Sequence, residues 1–227
     1  METINIPPER ARSLFLYLDG LRFACALCTV NLERAMASLR ALEKYAQEGA
    51  GAPTHLVLLV VADLWGVVDS AFRARLLAAR TPYLKRVSSE YQIFERQTRM
   101  VDTMRHYIQH LDERISSRAE IFTPVWGFIS WQSAREPSTA FTLIAGTPTV
   151  TQNHYSLTWD RLESKFVREL ELIVGDSTFD VAGTVKSVER LNKQIKEWCK
   201  TFSFEGGKYL YDPEAVPIFK FSVPDKT

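Results

Sequence analysis

One apolar seam near the start of the chain limits its fold more than anything else in the sequence. From Leu14 the apolar residues fall at Leu14, Leu18, Leu21, Cys25, Cys28, Leu32, Ala35, Leu39, Leu42 and Ala46. The steps alternate four and three throughout, the spacing that keeps one stripe of a helix against a partner. The seam predicts a single long helix over residues 8–48, bent near Gly20. Ile6-Pro7-Pro8 opens it, since proline is tolerated in a first helical turn, and GAGAP at 49–53 closes it. The seam also decides how Cys25-x-x-Cys28 is read. Both sulfurs lie on the packing stripe and no second such pair exists, so they read as small core hydrophobes, not as a redox or zinc motif.

A second helix is predicted over 54–80, with Thr54 as its cap. Its beginning is apolar nearly all round, which predicts a central place in a bundle. Its end gathers Arg73, Arg75 and Arg80, followed by Lys85 and Arg86, with no acidic residue among them. This is either a solvated helix end, where cations favour the dipole, or a phosphate-contacting patch. Thr81-Pro82 breaks the chain, and a third helix is predicted over 83–117. Three long helices with short connections predict antiparallel neighbours in a bundle.

After Ser117 the character changes. Residues 120–133 (EIFTPVWGFISWQS), 140–146 (AFTLIAG) and 166–174 (FVRELELIV) read as strands, with an edge piece around 150–157. They predict a small, largely antiparallel sheet within 120–180. Trp126 and Trp131 read as packing of this sheet on the bundle in preference to a platform for stacked bases. Asp176 or Asp180 ends the sheet. A last helix follows over 181–203, with Val185, Val188, Leu191, Ile195 and Trp198 as its apolar side. The apolar residues of 204–227 predict a tail packed on the body. With no repeat or composition break, one domain over 1–227 is expected. Its class is α+β, predominantly α: a bundle of long antiparallel helices over 8–118 and a small antiparallel sheet before the last helix.

Composition narrows the function classes. The formal net charge of +1 over 227 residues leaves no global electrostatic footprint for nucleic acid, so any such contact must use a local patch. Residues 1–13 hold no apolar core of the signal-peptide kind. The most apolar run, 56–62, is followed at once by Asp63, reads as too short for a membrane span and predicts a buried helix. Three cysteines make no even disulfide framework. Together these predict a cytoplasmic protein with reduced thiols and no membrane association.

Chemistry concentrates in residues 94–115, FERQTRMVDTMRHYIQHLDERI. At ~100° per residue, Phe94, Val101, Met104, Ile108, Leu111 and Ile115 form one stripe. Glu95, Arg99, Asp102, His106, His110 and Glu113 gather opposite, with Arg105 at the edge between the faces. Three readings follow. The histidines are surface residues without chemistry. Or Asp102, His106 and His110, spaced four apart, are metal ligands of a hydrolase. Or a histidine and an arginine act on a phosphodiester, histidine moving the proton of a ribose 2′-hydroxyl and arginine holding the phosphate.

Arg105-His106-Tyr107-Ile108-Gln109-His110 resembles the Arg-x4-6-His motif of HEPN domains, including the polar residue that commonly follows the arginine there. The flanking Leu111-Asp112-Glu113-Arg114 and the preceding long helices are similar to that family as well. The resemblance covers roughly residues 8–118; the sheet region departs from the pattern as an insertion. Arg99 to His106, with six residues between, fits the spacing too.

The resemblance implies a metal-independent endoribonuclease without cofactor, acting on single-stranded RNA. It also implies a homodimer whose two motif helices build a composite cleft. The 2′-hydroxyl attacks the adjacent phosphate and leaves a 2′,3′-cyclic phosphate. Carried over, His110 is the general acid/base, Arg105 binds the phosphate, and His106 orients the RNA or His110. Arg99, Asp102, Arg73 and Arg75 are the further substrate-binding candidates. The roles implied are toxin–antitoxin systems, phage defence or RNA processing, with an antitoxin or other protein as partner. The alternative, since many relatives are inert, is a non-catalytic interaction module binding a protein or RNA. Arg105 and His110 lie about 140° apart around a helix, so a cleft shared between two protomers, or Arg99 on the histidine face, would have to bring a guanidinium to the imidazole.

Overall fold

The predicted seam is the buried face of the longest element. A computed structural model describes residues 4–6, 8–82, 84, 89–117, 124–146, 157–200 and 202–204. Helix α1 is Pro8–Gln47, unbroken through Gly20. Leu14, Leu18, Leu21, Cys25, Cys28, Ala35, Leu39 and Leu42 are buried and Leu32 partly so; the seam runs out at Ala46, which is exposed. The helix ends where the sequence predicts. Gly49 takes φ 65°, and the N–H groups of Gly49 and Ala50 turn back to the carbonyls of Ala46 and Tyr45 (3.3 and 2.9 Å). This satisfies carbonyls that a helix end would otherwise leave without donors.

Helix α2, Thr54–Arg80, returns along α1. Cys28 donates its thiol proton to the Val67 carbonyl, and Arg34 pairs with Asp63 at 3.2 Å, which fixes the antiparallel register. Two expectations fail here. Pro53 takes the cap position, without a side-chain hydrogen bond, and Thr54 is the first helical residue. The start of α2 is not buried all round either: Leu58 is 63% exposed and Leu59 41%, because its neighbours cover one side only. By length and apolar composition both α1 and α2 are sufficient to cross a membrane, so the shortness of the 56–62 run does not exclude one.

The predicted third helix is broken into α3 (Ser89–Gln97), α4 (Met100–Gln109) and α5 (Leu111–Ser117). The first break has a physical cause. Arg75 of α2 donates to the Glu95 carbonyl at 2.8 Å, the acceptor that the Arg99 N–H would use in a continuous helix. The Arg99 N–H makes only a 3.4 Å contact with the Arg96 carbonyl. Thr98 consolidates the turn: its hydroxyl donates to the Phe94 carbonyl (2.6 Å) and accepts from Arg75 (2.9 Å). The second break is His110, at φ −113° and ψ 31°. The predicted stripe holds for Phe94, Val101 and Met104. Past them Tyr107 is buried and Leu111 packs on the same core, whereas Ile108 is intermediate and Ile115 is exposed.

The sheet has four strands in the order β3-β2-β6-β7, all antiparallel: β2 (Phe128–Gln132), β3 (Ala140–Ile144), β6 (Leu170–Val174) and β7 (Ser177–Asp180). Trp131 sits opposite Phe141 on one side and Leu170 on the other. The predicted strand 166–174 is two pieces. Phe166 belongs to a two-residue ladder of β4 (Trp159–Asp160) with β5 (Lys165–Phe166), and β6 begins at Leu170. Strand β7 was not expected. A parallel pairing of β1 (Ile4–Ile6) with β8 (Phe202–Phe204) was not expected either. The edge piece at 150–157 falls outside the described residues except Leu157, as do the tail beyond residue 204, Lys85 and Arg86.

Trp131 packs as predicted. It is buried, and its indole N–H donates to Glu43 of α1 at 3.1 Å, which also accepts from Ser133. Trp126 does not pack in this way and is 40% exposed. Asp180 closes the sheet and caps helix α6 (Val181–Cys199), its carboxylate accepting from the Gly183 N–H at 2.8 Å. Asp176 lies in the β6–β7 turn. Val185, Val188, Leu191, Ile195 and Trp198 are all buried, and α6 lies against α1, α2, α3 and β6. One buried cluster contains residues of both helices and sheet.

Candidate functional site

Helix α4 lies against α2, and the predicted site residues divide along that contact. On the outer side, the rings of His106 and His110 sit 4.4 Å apart, tilted by 44°. The break at His110 therefore does not separate them. Glu113, one turn on in α5, has its carboxylate 3.1 Å from His110 Nδ1. A carboxylate accepts only, so this bond requires the proton on Nδ1; in the neutral ring Nε2 then carries the lone pair.

On the inner side, the arginines are held by carboxylates. Arg105 directs its Nε–H at Asp69 Oδ1 of α2 (3.4 Å), and its guanidinium lies over the Phe72 ring, 4.0 Å from the centroid. Arg73 binds the other oxygen of the same carboxylate at 2.7 Å. Arg75 donates to Asp102 at 3.0 Å as well as to the α3–α4 turn. Of the four arginine candidates, only Arg99 makes no ion pair among the described residues. It is exposed at that turn.

The sequence candidates are thus brought together in three groups: His106 with His110, Arg73 with Arg105 across Asp69, and Arg75 with Asp102. Among the described residues no hydrogen bond or ring contact joins Arg105 to either imidazole, as the helical angle between them requires. Asp102 faces Arg75 and not the histidines. Among the described residues no three His, Cys, Asp or Glu side chains converge as a metal site would need, so the four-residue spacing of Asp102, His106 and His110 does not assemble a ligand set.

Sequence reasoning missed Asp69 and Phe72. Their signal is the i, i+4 pair Asp69–Arg73 on α2, which says nothing about Arg105. A cavity of about 140 Å³ opens beside the Arg75–Asp102 pair, lined by Leu76, Ala79, Tyr91, Phe94 and Glu95 as well. Burial pushes the Tyr91 phenol up from its ordinary value, and neighbouring Glu95 adds to this.

The cysteines take no part in this site. Burial pushes Cys25 up to about 12 and raises Cys28 too, with Cys25 and Glu189 adding to burial there. A thiol held neutral is a poor nucleophile and metal ligand. Compared with family models, curated proteins and solved structures, the chain shows no significant match to any of them.

Proposed function

We propose that this protein is a metal-independent endoribonuclease of HEPN type that cleaves single-stranded RNA as a homodimer. The observation carrying the reading is the imidazole pair, His106 and His110, with ring centres 4.4 Å apart and Glu113 on His110 Nδ1. Histidine is the side chain suited to moving protons near neutral pH, and a carboxylate on one nitrogen fixes which nitrogen faces the substrate. In this mechanism His110 Nε2 takes the proton of the ribose 2′-hydroxyl as it attacks the adjacent phosphorus. The bond from phosphorus to the 5′-oxygen breaks, and the His110 imidazolium returns its proton to that oxygen, leaving the ring neutral again. The products are a 2′,3′-cyclic phosphate and a 5′-hydroxyl. His106 steadies His110 or the RNA. Arg105 of the facing protomer, or Arg99 of the same one, holds the phosphate and its developing charge. Such an enzyme fits a cytoplasmic toxin–antitoxin or phage-defence role, restrained by a protein partner.

End-labelled single-stranded RNA incubated in chelator with wild type and with His110→Ala tests this. The expected result is cleavage with cyclic-phosphate ends by the wild type and a rate about 10²- to 10⁴-fold lower in the variant, the usual range for a lost proton-transfer group. Equal cleavage by folded His110→Ala would overturn the assignment.

A second reading, a non-catalytic module that binds RNA or protein, is favoured by one feature. Arg73, Arg75 and Arg105 are already ion-paired within the chain. It predicts a complex without turnover, weakened by substitution of His106 or Arg99.

A further inference from the structure

We infer that Asp69 is a positioning residue of this site, holding Arg105 ready for a phosphate oxygen; the inference rests on the RNA reading above. Asp69 is half-exposed on α2 and binds two guanidiniums, Arg73 through Oδ2 at 2.7 Å and Arg105 through Oδ1 at 3.4 Å. Two cations on one carboxylate leave a net positive charge, so the cluster still attracts an anion while both arginines are tethered.

The manner of the tether matters. Asp69 engages Arg105 through Nε, and this is the only side-chain hydrogen bond of Arg105 among the described residues. The terminal N–H donors, those that chelate a phosphate, are uncommitted among the described residues. Phe72 lies beneath the guanidinium at 4.0 Å and limits its rotation. An arginine restrained at its inner nitrogen and on one face loses less freedom when it grips an anion. Asp69 contacts neither imidazole among the described residues, so it acts through the two guanidiniums it holds, of which Arg105 alone stands on the helix of His106. This gives Arg105 a rigid base on a second helix, where the sequence shows only a residue at the edge of an amphipathic stripe.

The experiment measures kcat and KM on a short single-stranded RNA, and Kd for its uncleavable 2′-deoxy analogue. The proteins are wild type, Asp69→Asn, Arg105→Ala and the double variant. Asp69→Asn keeps the size and one acceptor oxygen at a half-exposed position while removing the charge and the second acceptor, and a thermal melt checks the fold. The expected result is a kcat about 10- to 100-fold lower for Asp69→Asn, with KM changed much less, as a misplaced catalytic group gives. In the Arg105→Ala background the same substitution should change nothing further, since its effect passes through the guanidinium. A wild type that cleaves while Asp69→Asn cleaves equally well overturns this inference alone, as do losses that multiply independently in the double variant. A wild type that neither cleaves RNA nor binds the deoxy analogue overturns this inference and the ribonuclease reading together.

Discussion

At the scale of single residues, the site depends on which nitrogen of His110 faces solvent, and Glu113 decides that. Its carboxylate lies 3.1 Å from Nδ1, and both side chains reach solvent. An exposed pair contributes little to stability, so its consequence belongs to chemistry. Glu113→Ala releases the ring to turn and to exchange tautomers. We expect RNA cleavage to fall by about 10-fold, a fraction of the general acid–base contribution, with no resolved change in the thermal midpoint. Initial rates and a melting curve on the same preparation check both halves. A rate equal to wild type would leave His110 without an orienting partner and would move the weight of the mechanism to His106. Glu113 stood on the polar face in the sequence, but its pairing with His110 did not. The i, i+3 spacing permits the contact without selecting it over Arg114 or solvent.

At the scale of elements, what was legible was what local spacing encodes. The Leu14–Leu42 part of the seam is an a/d stripe, and its burial follows from helix geometry alone. The break between α3 and α4 was not legible, because its cause lies in another element. Arg75 takes the Glu95 carbonyl across the α2–α3 contact, and no property of residues 94–99 announces that. The same holds for Asp69 and Arg105. Strand β7 (STFD) and the β1–β8 pair are too short to show a period, and the split at Lys165–Leu170 follows from pairing partners distant in sequence. Arg75 thus becomes a structural residue as much as a candidate ligand, and this gives a prediction. Arg75→Met removes the donor to Glu95, Thr98 and Asp102 while keeping a flexible apolar stem. We expect stability to fall by about 1–3 kcal/mol from the lost charge-assisted bonds, measured by urea unfolding. We also expect the Arg99 amide, now able to reach the Glu95 carbonyl, to gain protection in hydrogen exchange. Unchanged exchange at Arg99 together with unchanged stability would show that the break is set within α3 and α4 themselves.

At the scale of the whole molecule, the thiols report on the core that the seam builds. Cys28 stands in the α1–α2 contact and Cys25 one turn before it on the same seam, both almost wholly buried, and Cys199 closes α6. Burial raises all three, Cys25 to about 12 and Cys199 to about 11, from an ordinary value of 9.0 in each case. When the chain unfolds, the thiols return to that ordinary value. Below pH ~9 they are protonated in both states and contribute no pH dependence. Between about 9 and the folded values, the unfolded chain has released protons that the native one still holds. Ionisation then favours the unfolded state, and stability falls as pH rises, by at most about 1.4 kcal/mol per pH unit for each thiol. Lysines and tyrosines titrate in the same range, so the slope must be assigned by difference. Denaturation midpoints at pH 8, 9.5 and 10.5 should decline for the wild type and decline less steeply for Cys28→Ala, even though that variant starts lower at pH 8 from the lost packing. Equal slopes would mean that the α1–α2 contact opens locally and lets Cys28 ionise in the folded state. In that event a thiol reagent at pH 8 would label Cys28 as fast as Cys199; with the contact closed, Cys199, less buried, should react first.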